Sequence, residues 1–252
     1  MKTAVITGGA GGLGRALAAS LQAQGWCTIL LDIDVTGVET TAKQHPVACD
    51  LTDSGQLDAA VAQILDAHPA IDLVIYNAGV TQIGPFDELT EQTHRKVFEI
   101  NYFSAAALAR AMLEPVRRAR GTHLAISSVA GFAPLYHRTA YAASKHALEG
   151  LFKSLRSEEA PYGVRCQIAA PSFVATNTGR AETRKDGISR PGSATDGIDV
   201  MTPEAAAAEI LRGVSRGVPM IPVGRIARMG WWLNCVSPRL FQFAMDRKIR
   251  KG

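Results

Sequence analysis

The sequence predicts an α/β protein: a doubly wound parallel sheet of about seven strands in three α/β/α layers, followed by a C-terminal helical extension. Two observations carry this. Seven short apolar runs are continuous rather than alternating, the mark of strands covered on both faces. Segments with helical apolar spacing separate them, so strand and helix alternate along the chain. With 252 residues, 47% of them hydrophobic, the chain is long enough for one large layered domain. It divides into a core of residues 1–223, which includes a polar, Gly- and Pro-bearing loop over 177–200, and a basic amphipathic extension over 224–252.

The runs read as strands are Thr3–Thr7, Thr28–Ile33, Val47–Cys49, Asp72–Tyr76, His123–Ser127, Arg165–Ala170 and Val218–Val223. Helical spacing covers residues 13–25, 53–69, 91–113 and 140–163, with Gly25, Pro69 and Gly163 as stops. No repeat or low-complexity tract interrupts the order.

Charge and cysteines narrow the class. The formal net charge is +4, yet from Arg225 onward seven basic residues face one acidic residue, so the excess belongs to the tail. A uniform nucleic-acid surface is therefore not expected, while a local contact with acidic lipid or a partner is compatible with the tail. Cys27, Cys49, Cys166 and Cys235 stand far apart and read as thiols of a reducing compartment. No secretory signal and no run of ~20 apolar residues is found, so a cytoplasmic protein, peripheral to a membrane at most, is expected. The six histidines show no metal-ligand spacing, and no metal site is expected.

The first strand runs straight into Thr7-Gly8-Gly9-Ala10-Gly11-Gly12-Leu13-Gly14, which opens a helix. Glycines let backbone approach a ligand closely, and a helix N-terminus offers N–H groups and a positive dipole end to a pyrophosphate. Asp32, closing the second strand, suits ribose hydroxyls and would repel a 2′-phosphate. Neither Gly11 nor Ile33 supplies a cation for that phosphate, so NAD is favoured over NADP.

Further on, Ser128 precedes a helix bearing Tyr141 and Lys145. A spacing of four puts these two on one helix face, about 5–6 Å apart at Cβ. A phenol titrating near about 10 needs a lowered pKa to act near neutrality, and a neighbouring ammonium can supply it. The plain alternative is an exposed Tyr and Lys; the glycine loop and Ser128 weigh against it.

These motifs in this order resemble the short-chain dehydrogenase/reductase family, over nearly the whole chain to about Val223. Thr7, Gly8, Gly12 and Gly14 match its T-G-x-x-x-G-x-G; Asp50, with Leu51, its adenine contact; Asn77-Ala78-Gly79 its N-A-G turn; Asn101 its helix asparagine; and Ser128, Tyr141 and Lys145 its serine and Y-x-x-x-K. The resemblance implies a Rossmann-type fold and hydride exchange between nicotinamide and a secondary alcohol or ketone, the cofactor carrying the difficult chemistry. It implies Tyr141 as proton-transfer group, Lys145 as its partner on the nicotinamide ribose, and Ser128 as the residue holding the substrate oxygen. Pro171, Val174 and Thr176 would flank the nicotinamide, with Ser172 where the family has glycine. Asn101 bends its helix or holds a water serving Lys145; capping the next helical segment is the alternative.

Val80–Phe86, Ala130–Arg138 and Asn177–Val200 should set substrate choice. Phe86, Phe132, Leu135 and Tyr136 line a pocket for a lipophilic alcohol or are ordinary core, and Arg138 is the one candidate clamp for an anionic group. His137 is the histidine expected near substrate. The runner-up activity is 3-oxoacyl-thioester reduction, which Asp32 disfavours; a dinucleotide sensor without activity is the rival from another class. The family also implies a homodimer or homotetramer. In the tail, Ser237-Pro238 reads as an N-cap and first-turn proline. Trp232 and the basic residues there suit a membrane interface, against which stands packing on the tail's own domain or a partner subunit.

Overall fold

The computed structural model describes residues 1–177, 186–189, 192 and 200–249, the side chains of 244, 246, 248 and 249 excepted. In chain order these form β1 (Thr3–Thr7), α1 (Gly12–Ala23), β2 (Cys27–Asp32), β3 (Gln44–Ala48), α2 (Ser54–Ala67), β4 (Leu73–Tyr76), β5 (Thr81–Gln82) and α3 (Glu91–Phe98). A π turn over Glu99–Phe103 leads into α4 (Ser104–Ala111) and α5 (Leu113–Ala119). Then come β6 (Thr122–Ile126), α6 (Thr139–Glu159), β7 (Arg165–Pro171), β8 (Ile188–Ser189), α7 (Pro203–Ser215), β9 (Met220–Val223), α8 (Arg225–Val236) and α9 (Pro238–Ile249).

Seven strands form one sheet in the order β3-β2-β1-β4-β6-β7-β9, every neighbouring pair parallel. The chain winds outward from β1 through β2 to β3, then returns to place β4 on the other side of β1. That reversal opens a crevice at the carboxyl ends of β1 and β4, where ligands of such sheets bind. Alternation along each strand feeds two cores. Val5, Ile29 and Tyr76 pack with Leu57 of α2, Leu108 of α4 and Phe152 of α6. On the opposite face Ile6, Leu30 and Ile75 pack with Leu17 of α1 and Ile210 of α7. The expected three layers are thus present.

Several boundaries differ from the sequence reading. Of Val47–Cys49, only Val47 and Ala48 are in a strand; they end β3, whose start is hidden from the pattern by Pro46, which is tolerated because β3 is an edge strand. Residues 91–113 do not make one helix: the π turn interrupts them. The pattern gave no helix over 203–215, yet Thr202 caps α7 through its side chain, accepting from Ala205 N, with Pro203 in the first turn. Most of the loop over 177–200 lies outside the described residues; its Ile188–Ser189 pairs antiparallel with Thr81–Gln82 as a separate two-stranded sheet.

One core group links the fold to pH. His123 of β6 is wholly buried, and its Nδ1 shares a hydrogen bond with Tyr76 Oη at 2.7 Å. Burial, with Arg117 assisting and Glu159 opposing, pushes the imidazole down to about 4. Because the folded-state value lies below the ordinary 6.5, protonation favours the unfolded chain. The contribution is present in full above about 6.5 and is lost as the pH falls through about 4, a difference of about 3 kcal/mol. Urea melts at neutral pH and near the lower value should show this fall in wild type, and His123→Gln should flatten it; an equally steep fall in the variant would exclude His123 as the source.

Candidate active site

The crevice is a cleft of about 1930 Å³, more than one drug-sized molecule needs. Gly8, Gly11, Gly12 and Leu13 form its floor at the start of α1, and Asp32, Asp50 and Leu51 its β2–β3 end. Asn77, Ala78, Gly79, Ser128, Tyr141, Lys145, Pro171, Val174 and Thr176 line the remainder. Two expected members stand behind the wall: Gly14 and Asn101 are absent from the lining. Gly14 is buried where α1 presses on the loop, so close that a Cβ would meet the Gly8 carbonyl oxygen. Asn101 sits in the π turn behind Val80.

The loop is held by backbone and by one threonine. Gly8 has a left-handed φ of 62°, and Gly11 N donates to Gly8 O at 3.2 Å. Gly11 occupies the N-cap of α1 and brings no side chain to it, which suits a helix end that receives an anion. The Thr7 hydroxyl accepts from both Asn77 N and Ala78 N at 3.0 Å, while Asn77 Nδ2 donates to Thr7 O and Gly8 O. The N-A-G turn is therefore a clasp between β4 and the loop. Asp32 Oδ2 accepts from Ala10 N at 3.0 Å, fixing the carboxylate over the loop. Arg15, one turn into α1, also lines this end and donates from Nε to Ala10 O at 2.8 Å.

At the other end lie the three reactive side chains. Tyr141 and Lys145, 8% and 4% exposed, share one face of α6, with Nζ 5.9 Å from the phenol ring centroid. This excludes the exposed-pair alternative. The Ser128 side chain hydrogen-bonds the Tyr141 phenol and also accepts from Ala130 N at 3.2 Å. Lys145 Nζ donates to Ile126 O at 2.9 Å, at the end of β6. Ser127 points away, its Oγ donating to the buried Glu149 carboxylate at 2.9 Å, as strand alternation requires. Asn101 does not cap a helix: Oδ1 accepts from Val80 N at 2.8 Å, and Nδ2 donates to Val80 O and to Ser144 Oγ, each at 2.9 Å. It fixes the strand after Gly79 to α6, and the π turn is the distortion that aims it there. Ser172 N donates to Val223 O with φ outside the left-handed region, so this position does not require glycine.

The electrostatics depart from the sequence reading. Burial dominates and holds the Tyr141 phenol above its ordinary 10; the groups opposing it are the Ser128 hydrogen bond first and then the charge of Arg138. Lys145 is pushed by burial down to about 8, with Glu149 partly restoring it. The cation acting on the phenol in the bare fold is thus Arg138, whose position at the head of α6, three residues before Tyr141, was the available signal.

The substrate end is also reassigned. Leu135 and Arg138 line the cleft, whereas Phe86 and Tyr136 are exposed and His137 is not in the lining. His137 takes a left-handed φ of 55°, and its ring stacks on the exposed Tyr136 with centroids 3.7 Å apart. Phe132 packs on Phe241, ring centroids 6.5 Å apart. This contact belongs to the tail: Ser237 Oγ accepts from Leu240 N, as an N-cap should, and the chain folds back so that Ile226, Gly230, Phe241 and Met245 line the cleft. The outer stripe of Met229, Trp232, Val236, Leu240 and Phe243 remains exposed. Outside the cleft, Cys27, His45 and His68 bring possible ligand atoms within 4.8 Å of one another, a grouping that sequence spacing did not show.

The sequence profile for short chain dehydrogenases matches residues 2–187. Dehydrogenase/reductase SDR family member 7B of Mus musculus is 31% identical over 266 residues, covering 98% of this chain and 81% of that one; the Xenopus laevis protein of the same name is 30% identical over 263 residues with the same coverage. Among solved structures, a short-chain dehydrogenase from Streptomyces avermitilis superposes with a TM-score of 0.83 at 25% identity, over 99% of this chain and 98% of that one. One from Burkholderia cenocepacia in complex with NADP gives 0.84 at 21% identity over 97% and 98%. One from Burkholderia phymatum in complex with NAD gives 0.74 at 22% identity over 87% and 88%.

Proposed function

From its membership of the short-chain dehydrogenase/reductase family, to which this chain belongs, we propose that it is an NAD-dependent oxidoreductase exchanging a hydride with a lipophilic secondary alcohol or ketone. The observation that carries this reading is the buried Ser128–Tyr141–Lys145 group at the end of a cleft whose opposite end is a glycine loop and a carboxylate. The bound nicotinamide would supply the hydride chemistry. The residues fit such a cofactor: the loop offers bare backbone at a helix start, and Gly79 lies so near Asn101 and Lys145 that a Cβ would stand 3.2 Å from Asn101 Oδ1 and 3.5 Å from Nζ, so a side chain there would crowd the Lys145 end of the cleft.

The chain's own work is proton transfer. Ser128 orients the substrate oxygen toward Tyr141, whose phenolate takes the proton in oxidation and whose phenol returns it in reduction. Arg138 stabilises the phenolate electrostatically, and burial excludes water from the exchange. Lipophilic substrates are supported by Val129, Leu135, Ile226, Phe241 and Met245 along the wall.

NAD is supported by Asp32, fixed over the loop where the adenosine ribose would lie. One observation favours NADP instead: Arg15 reaches the same end. The test is nicotinamide absorbance with both dinucleotides on a panel of long-chain secondary alcohols and ketones. Wild type should prefer NAD by about tenfold or more in kcat/KM, equivalent to about 1.4 kcal/mol, and Asp32→Asn should erase the preference. A wild type that prefers NADP would sink this assignment, and no turnover with either would sink the enzyme reading.

A further inference from the structure

Two residues of the cleft lining carry buried hydroxyls without a partner among the described residues. Thr81 of β5 and Ser189 of β8 stand directly opposite each other in the antiparallel pair, 6% and 5% exposed, and both line the cleft. Neither Thr81 Oγ1 nor Ser189 Oγ, both buried, has a hydrogen-bond partner among the described residues. Opposed residues in such a pair have Cβ atoms about 4.5–5.5 Å apart, so one small polar group can reach both. Gln82, the next residue along β5, also leaves an oxygen unpaired, but it is not in the cleft lining. Buried polar atoms are nearly always satisfied, and an unsatisfied one calls for an explanation such as a ligand.

We propose that Thr81 and Ser189 form a polar subsite for a second oxygen of the substrate, a hydroxyl or carbonyl separate from the one that reacts. The class is then a lipophilic diol, hydroxyketone or hydroxy ester rather than a simple alcohol. The subsite rests on the reading of the cleft as a dehydrogenase site. Its distance follows from the strand: Thr81 is two residues beyond Gly79, which lies against Lys145, hence roughly 7 Å from that end of the site at about 3.3 Å per residue. Hydroxyls can donate and accept, so the pair takes either oxygen type. A site built to bond a substrate oxygen also discriminates strongly against analogues that lack it.

Calorimetry with NAD-loaded Tyr141→Phe protein measures this without turnover, using straight-chain secondary alcohols and diols of equal length over several spacings between the hydroxyls. One diol should bind at least tenfold more tightly than its matched alcohol. The pair Thr81→Val with Ser189→Ala should remove that preference and leave alcohol binding within about twofold. The same double variant should melt no lower than wild type, because it removes hydroxyls that bond nothing. Absence of any diol preference, its persistence in the double variant, or a lowered melting temperature revealing a structural role each overturns the subsite. A preference that vanishes as stated in a protein whose wild type turns over none of these compounds keeps the subsite and overturns the dehydrogenase reading instead.

Discussion

Tyr141→Phe is expected to lower kcat for alcohol oxidation by about a hundred- to ten-thousandfold, the range of one general acid–base group, while dinucleotide affinity stays within about twofold of wild type. The substitution keeps the ring that fills the space between Ser128 and Lys145 and removes only the atom that carries the proton. Little stability should be lost, about 1 kcal/mol for one hydrogen bond, because Ser128 Oγ still accepts from Ala130 N. The direction of the pH profile follows from the phenol. Burial holds its pKa above 10, so the basic form needed for oxidation grows as the pH rises, and oxidation should accelerate toward alkaline pH. Reduction uses the protonated phenol and should hold its rate over the same range. Stopped-flow absorbance in both directions, beside calorimetry for NAD, checks the set; a variant that oxidises alcohols at the wild-type rate would remove Tyr141 from the chemistry.

What the sequence reveals of this site is the part written in local spacing. A glycine loop between strand and helix, a carboxylate closing the next strand, and Tyr141 four residues before Lys145 are all local statements, and the structure assembles them in one cleft. What it hides depends on groups brought together from afar. Asn101 acts through Val80 and Ser144, 21 and 43 residues away, so its role cannot be separated from capping by spacing alone. Phe86 and Tyr136 look like pocket residues by composition, yet an aromatic side chain faces where its backbone sends it, and both stand exposed to solvent. The phenol's pKa is hidden for another reason. Spacing shows that an ammonium is near, but burial, which acts on both groups at once, raises the tyrosine and depresses the lysine. The tail is the largest omission: its charge and amphipathic pattern are visible in the sequence, whereas its place as one wall of the substrate end requires the fold-back onto Phe132.

Gly14→Ala should reduce NAD affinity roughly five- to 150-fold, although Gly14 touches no part of the cleft. The residue lies in the first turn of α1 with ordinary helical backbone, so conformational freedom is not what the position needs. It needs the absence of a Cβ. The added carbon would overlap the Gly8 carbonyl oxygen and stand 2.8 Å from Gly9 Cα, and backbone on a strand end cannot move aside as a side-chain tip could. Relief requires α1 to tilt off the loop or the loop to rise into the cleft. Overpacking of this kind costs about 1–3 kcal/mol, and where the bound loop conformation bears that cost the affinity falls by the factor stated. Gly11→Ala is the internal comparison. There the new carbon meets only the Gly8 oxygen, at 3.2 Å, and the residue is exposed, so a few tenths of an ångström of adjustment accommodates it. Titration of both variants with NAD, with thermal melts in parallel, should rank Gly14→Ala well below Gly11→Ala in each measurement. Equal losses would mean that the glycines serve approach to the ligand alone, and that the contact between α1 and the loop does not set its shape.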